Sequence, residues 1–143
     1  LFYTELCKSK DDKLSALAHK SLKEVKYHIK HSKSWILRLG DGTEESKNKI
    51  QKSINSIWQF TGEFFEMDKI DNEIKDSKIG VDNKLLKERW TIMISETLRE
   101  ANLKIPKDGY MQTGSKSGLH TEYLGHLLSE MQYLQRSYPD AKW

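Results

Sequence analysis

From Asp11 to Leu39 the chain carries neither proline nor glycine. On a helix, at about 100° per position, Leu14, Ala18, Ser21, Leu22, Val25, His28, Ile29, Ser32, Ile36 and Leu39 then fall in one stripe. Lys23, Lys26, Lys30 and Lys33 fall outside it. A strand alternates faces at every residue and cannot gather this set. The pattern predicts one long amphipathic helix, and a helix that long needs several neighbours to bury its stripe. Asp11 or Asp12 is placed to cap it, and Gly40 to follow its end as the left-handed residue.

Three further segments repeat the pattern. Thr43 is placed to cap a second helix with the stripe Ile50, Ile54, Ile57, Trp58, Thr61, Phe64 and Phe65. A polar stretch, Glu66 to Gly80, has room for one short helix. Asp82 can cap a third helix with Leu86, Trp90, Met93, Ile94, Thr97 and Ala101 inward, and Pro106 lies beyond its end. After a glycine-bearing loop, the fourth runs from about Leu119 to Ser137 with Leu119, His120, Tyr123, Leu127, Met131 and Leu134 in line. No segment shows strand alternation. The fold class expected is all-α, a helical bundle with short antiparallel connections.

The two prolines fit that class. Cys7 is the only cysteine, which excludes a disulfide framework and a cysteine-built zinc site. No apolar run approaches the roughly 20 residues of a membrane span. The net charge of +3, from 24 basic and 21 acidic residues, is too mild and too dispersed for nucleic-acid binding. A cytoplasmic location is expected.

Glu24 and His28 lie four apart, within reach of one another on a helix. A bundle metal site uses Glu and His on inward faces, in the di-iron proteins as Glu-x-x-His. Here the third residue after Glu24 is Tyr27, on the far side from the apolar stripe. Two readings follow: a buried, mutually satisfied Glu–His pair, or a degenerate metal site of Glu24 and His28. His31 and Trp35 flank the same helix as surface or partner-contact residues. Glu122, His126, Glu130 and Tyr133 line a second face of the fourth segment, either as solvated intrahelical pairs or as a face laid against another chain. Gly40 to Thr43 reads as paired helix caps ahead of an anion site. The loop Thr113-Gly114-Ser115-Lys116-Ser117-Gly118 holds small residues and a lysine before a helix but lacks the Walker ending.

Several strings together are similar to one known family. They are Lys23-Glu24-Val25-Lys26-Tyr27-His28, Arg38-Leu39-Gly40-Asp41-Gly42-Thr43-Glu44-Glu45-Ser46, Trp58-Gln59-Phe60-Thr61-Gly62-Glu63, Gly118-Leu119-His120-Thr121-Glu122 and Ser129-Glu130-Met131-Gln132-Tyr133-Leu134-Gln135-Arg136, with Trp143 closing. Taken in order, they resemble the C subunits of bacterial ring-1,2-phenylacetyl-CoA epoxidases. The resemblance implies a ferritin-like helical bundle and a structural, non-catalytic role beside the catalytic A subunit, together with the other epoxidase subunits. It implies a di-iron centre in the A subunit, electrons from NADPH through a reductase subunit, and no cofactor, nucleic acid or membrane bound by this chain. It also implies that residues 1–143 are the C-terminal portion of a single ferritin-like domain that lacks its N-terminal helices here. The competing expectation is a divergent metal-binding bundle with redox activity of its own through Glu24 and His28.

Overall fold

The computed structural model describes residues 1–142, so Trp143 lies outside the described residues. All regular elements among them are helical. They are α1 (Phe2–Leu6), α2 (Asp12–Gly40), α3 (Glu44–Ile57), α4 (Lys69–Asp76), α5 (Leu86–Glu100), α6 (Glu122–Met131) and α7 (Tyr133–Ser137), with short 3-10 turns between. Two compact units result, Leu1–Gln112 and Thr113–Trp143.

In the first unit the helix starts follow local chemistry. Asp11 accepts from the Leu14 amide at 2.9 Å and opens α2, and Thr43 accepts from the Ser46 amide at 3.2 Å and opens α3. Each satisfies one amide that lacks an intrahelical partner. Asp68 and Asp71 bond each other's backbone amides across the first turn of α4, the one short helix in the polar stretch. Asp82 caps a 3-10 turn, Asn83–Leu85, and α5 begins only after it.

Stops differ more from expectation. Gly40 is the last residue inside α2, not a left-handed residue beyond it, and Asp41 closes the helix. Glycine is needed there for contact: a β-carbon on residue 40 would overlap the Ala101 carbonyl oxygen and lie 3.0 Å from the Ala101 β-carbon. α5 ends on a left-handed Asn102, φ 55°, with the Leu103 amide bonded to the Leu98 carbonyl at 2.9 Å. That six-residue closure places Leu98 and Leu103 in contact range of one core. α3 stops at Ile57 instead of running on to Phe65, and two 3-10 turns, Trp58–Phe60 and Gly62–Phe65, follow. These turns carry Trp58, Phe64 and Phe65 to within 5.5–6.3 Å of the Trp90 ring of α5.

The core is Ile54, Leu98, Ala101 and Leu103, with Ile36, Leu37, Ile50, Trp58 and Ile94 packed round it. It joins the C-terminal half of α2 to α3 and α5. Each fully buried Leu or Ile contributes roughly 1.5–3 kcal/mol. At the other end of α2, α1 packs against the helix, and Leu6 and Ala18 are buried. Glu5 joins α1 to α5 through Arg89 at 2.6 Å.

In the second unit the expected single helix from Leu119 is shorter and divided. Leu119, His120 and Thr121 precede α6, and the chain turns at Gln132 before α7. Gly114 and Gly118, at φ 97° and 85°, bracket the 3-10 turn Ser115–Ser117. The backbone there needs the left-handed region, which glycine enters without a steric cost. None of residues 113–142 is buried.

Candidate functional sites

Glu24 and His28 do pair, with His28 Nε2 3.3 Å from Glu24 Oε1, yet their side chains are 73% and 62% exposed. The expectation of a buried pair on an inward face is therefore corrected. α1 covers α2 near its start, and α3 and α5 cover its C-terminal half. The middle of the stripe stays open, and Ile29 beside the pair is 42% exposed. An exposed pair of this kind is worth a few tenths of a kcal/mol. Tyr27 stands on the solvent side, as its position on the helix predicted. Among the described residues no three His, Cys, Asp or Glu side chains assemble into a group able to hold a metal ion.

His31 and Trp35 are exposed, and the structure adds a relation between them. Tyr27 stacks on His31 at 6.1 Å, His31 meets Trp35 edge-on at 6.4 Å, and the Arg38 guanidinium lies 5.6 Å from the Trp35 ring centre. Spacings of four and three along α2 produce this ladder. That spacing was legible in the sequence, because Tyr27, His31 and Trp35 lie at i, i+4 and i+8.

Two adjoining apolar concavities lie between α2, α3 and α5. One, of about 310 Å³, includes His28, Ile29, Ser32, Met93 and Thr97. The other, of about 350 Å³, includes Ile57, Trp58, Phe64, Trp90 and Leu98. Ile36, Ile94 and Thr97 line both, so they form one open groove. The helical stripes pointed to these residues as core, except Leu98, which the stripe of the third segment left out although it is 2% exposed. The groove arises because the stripes converge without enough neighbours to close over them.

Glu122, His126 and Glu130 sit on α6 at four-residue spacing, and Tyr133 begins α7. All four are exposed. The structure keeps the three α6 residues on one flank of an apolar arc made by Tyr123, Leu127 and Met131, each more than half exposed. Tyr133 belongs to the next helix.

Hydrogen bonds from Lys8 and then Arg89 hold the Glu5 carboxyl below its ordinary value, against a smaller opposing effect of burial. Cys7 is half-buried. No helix among the described residues is long and apolar enough to cross a membrane.

Comparison with known proteins gives the family. Residues 1–143 match the family model described as phenylacetic acid catabolic protein. Over 141 residues the chain is 43% identical to the Escherichia coli (strain K12) protein named as the C subunit of 1,2-phenylacetyl-CoA epoxidase. The match covers 99% of this chain and 57% of that protein, so the chain spans little more than half the length of this curated relative. With its all-helical elements and a match from one end to the other, the chain belongs to the phenylacetic acid catabolic protein family, whose fold is ferritin-like.

Proposed function

We propose that this chain is a supporting, non-catalytic part of the multicomponent di-iron monooxygenase that epoxidises the ring of phenylacetyl-CoA in phenylacetate catabolism. The observation that carries the reading is the 43% identity to the epoxidase C subunit, spread over nearly the whole chain. The residues support it. The place three after Glu24, where a di-iron bundle presents histidine, holds Tyr27. On this reading the di-iron centre sits in the catalytic A subunit, while a reductase subunit brings electrons from NADPH. The chain works in the cytoplasm by holding the shape of the catalytic bundle, on which its helices pack. His31, Trp35, Glu122, His126, Glu130 and Tyr133 are the proposed contact residues.

The test is reconstitution. Full-length protein and catalytic subunit, purified separately, are expected to co-sediment as a defined complex, and epoxidation with the reductase is expected to need both. Absence of any complex would overturn the reading. The 3.3 Å Glu24–His28 pair favours one alternative, a metal-binding bundle with redox activity of its own. Iron analysis of the full-length protein alone separates the two. Tightly bound stoichiometric iron that disappears in Glu24→Ala would sink the supporting role.

A further inference from the structure

We infer that the cleft between α1, the end of α4 and the start of α5 is an anion site, and that it takes the phosphate group of a small phosphomonoester. Such a site adds to the supporting role proposed above and does not depend on it.

The cleft has a volume of about 440 Å³, within the usual range for small-molecule pockets. Four cations line it, Lys8, Lys75, Lys78 and Arg89, against two carboxylates, Glu5 and Asp82. They come from three separate stretches of chain, so the fold and not a local charge run brings them together. The two carboxylates leave the cations a surplus of two positive charges, the complement of a phosphate dianion. Glu5 braces two of the cations, with Lys8 and Arg89 each 2.6 Å from it. One bond to Glu5 leaves an ammonium two donors and a guanidinium four. Asp82 is engaged elsewhere, accepting from the Lys84 amide at 3.1 Å. Lys75 is only 34% exposed, and its one carboxylate partner is the neighbouring Asp76 at 3.4 Å. Val81 and the buried Leu86 supply apolar lining for the organic part of an ester.

The backbone at Lys78 points the same way. The Ile79 amide bonds to the Ile74 carbonyl at 3.1 Å and the Lys78 amide to the Lys75 carbonyl at 2.9 Å, which closes α4 with Lys78 in the left-handed region, φ 62°. Glycine or asparagine normally takes that place, because a β-carbon there meets a steric cost. The surroundings hold the strained turn. The Lys10 amide donates to the Lys78 carbonyl at 3.0 Å, and the Ser9 hydroxyl donates to the Ile79 carbonyl at 2.7 Å. A lysine stands where the fold asks for glycine, at the edge of a cleft already rich in cations, and no ion pair among the described residues engages it. Strain kept in this way is accounted for by what the side chain does. A phosphate oxygen accepting from Lys75 and Lys78 supplies the missing partner through charge-assisted hydrogen bonds.

The test is calorimetric titration of the full-length protein with phenyl phosphate at low salt. One saturable site per chain is expected. Lys75→Ala and Lys78→Gly are each expected to weaken binding by at least about 10-fold, the loss of one hydrogen bond to a charged group. Lys26→Ala, an exposed lysine on α2 away from the cleft, is expected to bind as wild type. Lys78→Gly is also expected to raise the melting temperature by about 2 °C, because glycine enters the left-handed region freely. Weaker binding in a more stable protein cannot come from misfolding. Absence of saturable binding by the wild type overturns the site, as does wild-type affinity in both Lys75→Ala and Lys78→Gly. A Lys78→Gly protein that melts lower than wild type overturns the reading of Lys78 as a residue kept for its charge. Binding to vesicles containing phosphatidic acid, with none to phenyl phosphate, overturns the small ligand in favour of a membrane surface. Weakened association of Lys78→Gly with the catalytic protein, without phosphate binding by the wild type, overturns it in favour of a protein contact.

Discussion

Gly40 and Ala101 close two helices against each other. α2 delivers a residue without a side chain to the point where α5 ends, and both residues are fully or nearly fully buried. The obstacle to any side chain at position 40 is the backbone carbonyl of Ala101, which cannot swing aside as a long side chain can. Gly40→Ala is expected to destabilise the fold by about 3 kcal/mol, the upper part of the usual range for overpacking. Urea denaturation followed by circular dichroism measures it. A loss below about 0.5 kcal/mol, the scale of ordinary surface changes, would contradict the contact.

Leu98 is 2% exposed and sits in the core with Ile54, Ala101 and Leu103. Leu98→Ala removes buried methyl groups and leaves a space that its helical neighbours can only partly fill. The expected cost is roughly 3 kcal/mol. Leu85, 73% exposed on the preceding turn, is the internal control: Leu85→Ala is expected within about 0.5 kcal/mol of wild type. Equal effects at the two positions would show the burial pattern to be wrong.

Gln51 holds the chain after α5 with both ends of its amide. The Lys104 amide donates to Gln51 Oε1 at 2.7 Å, and Gln51 Nε2 donates to the Lys104 carbonyl at 3.0 Å. Gln51→Ala breaks both bonds at an exposed site, so the net cost is modest, about 1 kcal/mol. The sharper readout is local. The Lys104 amide is expected to exchange faster with solvent in the variant, while amides in the middle of α5 keep wild-type rates.

Glu5 gives the acid side of the stability profile a definite sign. Its carboxyl titrates below the ordinary value of 4.5 in the folded chain because Lys8 and Arg89 donate to it. The unfolded chain therefore takes up this proton first as pH falls. The contribution is fully present above the ordinary value and is lost as pH drops through the folded one. The pair is partly exposed, so solvent screening keeps the effect under about 1 kcal/mol. Glu5→Gln is expected to be slightly less stable than wild type at about pH 7, with the gap closing as pH falls through the lowered folded value. A gap that persists unchanged at low pH would show that Glu5 acts by packing and not by charge.

Helix positions were legible because they rest on side chains close in sequence. Asp11 and Thr43 cap where a polar oxygen next to an apolar repeat predicts, and Ile54, Leu86, Thr97 and Ala101 are buried as the stripes require. What failed depended on long-range contact. Gly40 has the composition of a helix stop, but its neighbour is Ala101, which no local pattern reveals. Glu24 and His28 lie at the right spacing and do pair, yet burial is decided by which helices cover the middle of α2. Periodicity says which residues seek a neighbour and is silent on whether one arrives. The break between α6 and α7 at Gln132 carries no proline or glycine to announce it. The ladder of Tyr27, His31 and Trp35 was readable from spacing alone.

The Gln51 clamp does not act alone. Trp58 donates its indole N–H to Asp108 at 3.0 Å, and the Gln112 amide donates to the Gln59 carbonyl at 2.9 Å. The length of chain from Leu103 to Gln112 is thus riveted at three stations to α3 and the turn behind it, although its covalent origin is α5. A pull applied at Gln112 would load those rivets in sequence before any strain reached the last turn of α5. Mechanically the segment belongs to α3, and a single-molecule extension experiment would see it peel in steps, with Gln51→Ala erasing the one nearest α5.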